Sequence, residues 1–187
     1  SATQVPSTAI QSTATKTNTA VPPTVAQPTA TKTNTAIPPS ATQTSTTSSG
    51  CATLNAGFEN TVITLVNAER AKLGLGQLAA QGQLMAAARA HSSDMACQNF
   101  FSHTGSDGSS PFDRMARFGY SFSTAAENIY AGSGPYNSPQ AAIDGWMNSQ
   151  GHRDNILNPV FTQIGSGYAF NASSQYGGYF TNTFGKP

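Results

Sequence analysis

Three histidines and one isolated glutamate are the residues of this chain best suited to chemistry: His91, His103, Glu127 and His152. His103 stands in the loop "FFSHTGSDGSS", behind two phenylalanines whose burial would anchor that loop to a core, the setting in which sites are usually built. Glu127 stands in "AAENIY", just before apolar residues, where a solitary carboxylate is costly unless it is paired. His152 follows a glycine in "WMNSQGHRDNIL", where a helix ought to stop. It reads either as a local capping feature or as an imidazole held out towards a site. His91 falls on the apolar face of a predicted helix with Leu84 and Met95, which favours a hydrogen-bonded core histidine. Ser102–His103 and Ser149–His152 can each be drawn as a serine–histidine pair. No "GxSxG" elbow supports either, so a serine hydrolase is disfavoured.

The elements that must position these residues follow from periodicity and punctuation. "FENTVITLVNAERAKL", residues 58–73, has apolar residues at helical spacing and is stopped by "GLG". "QGQLMAAARAHSSDMACQNF" predicts a second helix. "PFDRMARFGY" predicts a short third, with Ser110 before it and Gly119 at its end. "ENIYAG" reads as a strand. "SPQAAIDGWMNS" reads as a fourth helix, with Ser138 as N-cap, Pro139 at its first position and Ala142, Ile143 and Trp146 buried. "FTQIGSGYAF" and "GGYFTNTFG", separated by the polar "NASSQ", predict a terminal antiparallel hairpin. Helices first and a hairpin last give an α+β domain rather than repeated βαβ units.

Composition divides the chain in two. Residues 1–50 are almost wholly Thr, Ser, Ala, Pro, Val, Gln and Asn, without an aromatic residue and with only Lys16 and Lys32 charged. "TATKTNTA" occurs at 13–20 and again at 29–36, each copy leading to a proline pair. Such a segment cannot bury enough apolar surface to offset its ordering entropy. It is expected to be a disordered Thr/Ser/Pro-rich stalk, of a composition that suits O-glycosylation.

Residues 51–187 are the folded domain. They hold seven basic and eight acidic residues with no basic stripe, which argues against nucleic acid as a partner. No apolar run approaches the ~20 residues needed to span a bilayer. Beginning at Ser1, the chain reads as a mature or trimmed form. Cys51 and Cys97 are expected to form a disulfide rather than two separate thiols, as an extracellular setting permits. In the chain-entropy model such a loop closure is worth ~4 kcal/mol.

Taken together, "LVNAERAKLGL", "AAARAHSSDMA", "FFSHTGSDG", "RMARFGY", "AENIYAG", "AAIDGWMNSQGHRDNILNPVFTQIGSGY" and "YFTNTFG" resemble, in order, the CAP superfamily (cysteine-rich secretory proteins, antigen 5 and pathogenesis-related 1), also called SCP domains, and especially its bacterial secreted branch. The resemblance covers nearly all of 51–187 and none of the stalk. It implies a three-layer α-β-α sandwich with an antiparallel central sheet. It also implies a cleft of two histidines and two glutamates, which in some members binds a divalent metal. "FSH" matches the first histidine as His103, "AEN" the first glutamate as Glu127, and "GH" the second histidine as His152, which Gly151 would turn back towards the other two. The second glutamate position is Ser149.

The implied cleft is therefore His103, Glu127, Ser149 and His152, with Asn128 and Arg153 holding the loops around it. Asn67, Glu69 and Arg70 are expected to cross-link the first helix, and Trp146 to plug the core. His103, Glu127 and His152 suit zinc or another divalent cation. The missing carboxylate, however, removes a charge that would hold a second cation or act as a base. Binding is favoured over catalysis, and the alternative to a bound zinc or other divalent cation is a metal-free, hydrogen-bonded polar cluster that ties the loops to the sheet.

Three functions follow as expectations. The first is a secreted, stalk-mounted module, monomeric, that binds an extracellular lipid, glycan or protein. The second is a metal-assisted hydrolase of peptide or glycan, in which His103, Glu127 and His152 would be catalytic. The third is a surface scaffold.

Overall fold

The computed structural model describes residues 50–187 in full and the backbone of three short strands before them. Those strands are β1 (Ala9–Ile10), β2 (Ala14–Thr17) and β3 (Thr46–Ser49). The expectation of disorder for the rest of 1–50 falls outside the described residues. The domain proper begins with β4 (Ala52–Asn55) and α1 (Ala56–Ala71). The Asn55 side chain caps α1 by accepting the Phe58 N–H at 3.1 Å. The short β5 (Ala79–Ala80) leads to α2 (Gly82–Gln98), which ends where Asn99 takes the left-handed conformation. α3 (Pro111–Arg117) opens with a capping box formed by Ser110 and Asp113. Then come β6 (Thr124–Gly132), a 3-10 turn at Gly134–Tyr136, α4 (Pro139–Asn148), α5 (Gln150–Ile156), β7 (Gln163–Phe170) and β8 (Gly178–Lys186).

The sheet runs β1-β6-β8-β7-β4-β3, with β2 beside β1 on the outer edge of β6 and β5 pairing β7 in parallel. The other pairings are antiparallel, and β7 and β8 form the predicted hairpin. Helices cover both faces, as the α-β-α expectation requires. α1, α4 and α5 bury Val62, Val66, Ile143, Trp146 and Ile156 against Ala126, Tyr130, Ile164, Phe180 and Phe184. α2 and α3 bury Leu84, Ala87, Met95, Ala96 and Met115 against Ala125, Ile129 and Tyr179.

α2 lies close to β7 because two positions there lack side chains. A Cβ at Gly165 would strike the backbone of Leu84 and Met85, and one at Gly167 the backbone of Ala88 and Arg89. The glycines of "QIGSGY" are thus the seat of a helix, and reading the segment as a plain hairpin strand hides that constraint.

The expected structural residues take their places. The Trp146 indole N–H donates to the Ile129 carbonyl at 2.9 Å from a fully buried ring. Asn67 exchanges two hydrogen bonds with the Leu78 backbone. Arg70 donates to the carbonyls of Gly76, Ile156 and Asn158, tying α1 to the loop before β5 and to the end of α5. Glu69 instead faces Lys72 on the surface. Cys51 and Cys97 form the disulfide, with Cα atoms 5.7 Å apart, and join the domain's start to the end of α2.

Candidate functional site

Along β6 side chains alternate between the two faces of the sheet. Odd positions, including Glu127, face α2 and α3. Even positions, including Asn128, face α4 and α5. Glu127 is 1% exposed, so its charge has to be satisfied by protein groups. Two groups hydrogen-bond to it and a third lies close by. His103 donates Nδ1–H to Oε1 at 2.8 Å. Arg114, on α3, donates Nη2 to Oε2 at 2.8 Å and to Oε1 at 3.1 Å. His91, on α2, places Nε2 3.9 Å from the same carboxylate while bonding the Ser102 carbonyl at 2.9 Å.

Arg114 also donates to the His103 and Ser109 carbonyls, each at 2.9 Å, and so holds the His103 loop from below. Burial pushes the Glu127 carboxyl up. The hydrogen bond from His103 and the charges of His91, Arg114 and His103 outweigh it, and the net displacement is downward. Burial lowers His91, with the Arg114 charge adding to it and Glu127 opposing. His91 is therefore a core histidine as the sequence implied, and also a wall of the Glu127 site.

The second half of the site differs from the expected turn. α4 ends at Asn148, Ser149 is extended (φ −105°, ψ 120°), and the chain re-enters a helix at once. Gly151 is not a turn residue but lies inside α5, and His152 is carried on that helix's first turn. One extended residue suffices to break α4 and redirect the next helix, so no positive-φ glycine is needed.

His152 Nδ1 is 2.7 Å from Ser149 Oγ, and the imidazole is 1% exposed. Its Nε2 has no hydrogen-bond partner among the described residues. Burial, then the charge of His103, lowers the imidazole pKa to about 4, so His152 is neutral at pH 7. Asn128 donates to the His152 carbonyl at 3.0 Å and accepts from Asn155 at 2.9 Å, which ties α5 to β6. Arg153 donates to the Met147 carbonyl at 2.8 Å and closes the α4–α5 junction.

This arrangement limits the chemistry. Among the described residues, no three His, Cys, Asp or Glu side chains gather in a geometry that could hold a metal ion. Arg114 weighs against a cation as well, since one taking Glu127 would have to displace a buried guanidinium from both carboxylate oxygens. The donor set His103, Glu127 and His152 therefore does not fit a three-ligand zinc site. Ser149 and His152 meet, but through Nδ1. No carboxylate backs the ring's other nitrogen as a hydrolytic triad requires.

Arg114 was the residue that sequence reading missed. The buried carboxylate demanded a partner, yet nothing in "RMARFGY" distinguishes an inward arginine from a surface one. Two of the concavities are lined by residues other than the imidazoles. One of about 440 Å³ is lined by Tyr130, Tyr136, Gln140, Asp144 and Asn148. The other, of about 240 Å³, is lined by Asp94, Ser106, Asp107 and the outer side of Arg114.

The model of the CAP family, described as the cysteine-rich secretory protein family, matches residues 63–184. The Bacillus subtilis protein YkwD is 47% identical over 116 residues, which are 62% of this chain and 44% of that protein. The Bacillus subtilis membrane protein YlbC is 37% identical over 109 residues, 58% of this chain and 31% of that protein. The chain thus spans less than half the length of these curated relatives.

Among solved structures, an extracellular protein containing an SCP domain from Bacillus anthracis is 34% identical with a TM-score of 0.62, covering 70% of this chain and 41% of that one. An outer surface protein of Borrelia burgdorferi, 21% identical with a TM-score of 0.60, covers 68% of this chain and 90% of that one and shares the fold.

Proposed function

From the premise that the chain belongs to the cysteine-rich secretory protein (CAP) family, we propose that it is a non-catalytic extracellular binding domain, displayed on the segment 1–50, whose cleft presents two imidazoles to a ligand. The observation that carries this reading is the engagement of Glu127. Both of its oxygens are taken by Arg114 and one also by His103, so the carboxylate beside His103 is already paired. A general base or a metal ligand must be able to give its lone pairs to water or a cation, and this carboxylate is spent on Arg114. What remains is recognition chemistry: a neutral, buried His152 with Nε2 unpaired, and the partly exposed His103 oriented by Glu127. Such groups suit a hydroxyl or carbonyl of a glycan, peptide or lipid headgroup. The extracellular setting is supported by the Bacillus anthracis relative, and no described helix is long and apolar enough to cross a membrane.

The test is NMR of the histidine side-chain nitrogens in the full chain, titrated separately with palmitate, chitotetraose and an alanine tetrapeptide. One class should shift His152 and His103 together, and His152→Ala should abolish that response. Turnover of any probe by wild type but not by His103→Ala would overturn the reading in favour of an enzyme. A one-to-one zinc heat cancelled by Glu127→Gln would overturn it in favour of a metal site. No shift with any probe would leave the scaffold function standing instead.

A further inference from the structure

The outer edge of β6 is not bare. Ala9 and Ile10 pair with Ala131 and Tyr130, and Ala14 to Thr17 pair in order with Glu127 to Thr124, all antiparallel. β6 is otherwise closed on its inner side by β8 along all nine residues, leaving this one edge of unpaired backbone groups.

The segment that fills the edge belongs to the repeat. Residues 9–17 read "AIQSTATKT" and residues 25–33, sixteen positions on, read "VAQPTATKT". Six of nine residues are identical, including the whole run that pairs with Thr124–Glu127. The substitutions fit the same role. Ala9 and Ile10 become Val25 and Ala26, both apolar. Ser12 becomes Pro28, in sequence between the two runs for which pairing is given, so the proline replaces no residue of those runs. Threonine at alternate positions favours extended backbone, and no glycine interrupts either copy.

Chain length also permits the exchange. From the strand added beside Thr124 of β6 to Thr46 on the far edge of the sheet lie five strand spacings of about 4.8 Å and roughly six residues of strand rise. That is on the order of 30 Å, and the twelve residues 34–45 reach about 40 Å when extended.

We propose that the β6 edge is a strand-addition site for Thr-rich extended peptide, and that the two repeat copies are interchangeable occupants of it. With 9–17 docked, the twenty-eight residues 18–45 make the connection to β3. With 25–33 docked, residues 1–24 are released and the connection shortens to twelve residues. The repeat thus makes a two-position tether that shields the edge against other chains and sets how much stalk projects from the domain. The pairing runs along the backbone of β6 and its test reads backbone amides, so its failure is distinguishable from failure of the imidazole reading.

The experiment is residue-resolved NMR hydrogen exchange of the outward amides of β6 in the full chain. One variant carries Ala14→Pro with Thr15→Pro, a second carries Ala30→Pro with Thr31→Pro, and a third carries all four. Because neighbouring residues alternate in the ladder, each proline pair removes at least one donor from its copy. Each two-proline variant should keep the β6 outer amides within about threefold of wild type, and the four-proline variant should exchange at least tenfold faster. Amides of β7 and β8 report whether the domain stays folded. If the first variant alone exchanges as fast as the third, the copies are not interchangeable and the proposal fails. If the third matches wild type, the stalk does not fill the edge and the proposal fails at its root.

Discussion

The two faces of the central sheet are built from the same strand and held together by different physics. β6 turns Ala126, Asn128 and Tyr130 to α4 and α5, and Ala125, Glu127 and Ile129 to α2 and α3. On the first face Tyr130 meets Trp146 edge-on at 6.3 Å and Phe180 at 6.1 Å, a packed aromatic group that includes Tyr168 and Phe58. Its contribution is additive in area, about 25 cal/mol per Å². At the same level on the second face stand Glu127, His91, Arg114 and His103, whose contribution is not additive: each group is tolerable only because the others satisfy it. One face therefore degrades gradually when trimmed, and the other fails when a single partner is lost.

The comparison is tested most severely by two truncations of similar cost and different signature. Trp146→Ala should destabilise the domain by about 3–5 kcal/mol in urea unfolding while leaving the His103 resonances in place. Arg114→Met should also cost about 3–5 kcal/mol, because it strands a buried carboxylate, and it should raise the Glu127 pKa. Adding Glu127→Leu to Arg114→Met should then recover part of the loss, whereas no second substitution near Trp146 should. A cost for Arg114→Met under about 0.5 kcal/mol, as for an ordinary surface change, would show that the second face is not held by its pairings. A smaller effect is expected from Gly167→Ala. The added methyl meets the α2 backbone and should cost about 1–3 kcal/mol, with α2 amides exchanging faster than those of α1.

The first face was largely legible in the sequence and the second only in part. Helical periodicity marked Val62, Val66, Ile143 and Trp146, since apolar spacing is a local property of the chain. The order of seven segments further placed His103, Glu127 and His152. Pairing is not local. Glu127 announced a need for a partner, but Arg114 is one arginine among several, and only the packing of α3 against β6 selects it. The α4–α5 break was missed for a related reason. A glycine next to a histidine suggested a turn, whereas the redirection is made by one extended serine and Gly151 is helical. Pairing of the repeat with β6 was invisible because a Thr-rich segment has no core-facing pattern, and an edge strand needs none.

The smallest expected effect separates the faces by pH. His152 has a folded pKa of about 4 against about 6.5 when unfolded, so between these values the unfolded chain binds more protons. Its share of stability is present in full above about 6.5 and is lost progressively as pH falls towards 4. Glu127 is also lowered, so its share is present above the unfolded carboxylate range and is lost only as pH falls through the lower folded value. His91, lowered by burial, acts in the same direction as His152 from the other side of the sheet. His152→Gln should therefore flatten the melting temperature against pH between about 6.5 and 4, keep the residual slope due to His91, and leave the steeper loss at lower pH that Glu127 imposes. If the slope in that window is unchanged in His152→Gln, the imidazole of α5 does not sit neutral in its pocket. The recognition chemistry assigned to its free nitrogen then loses its basis.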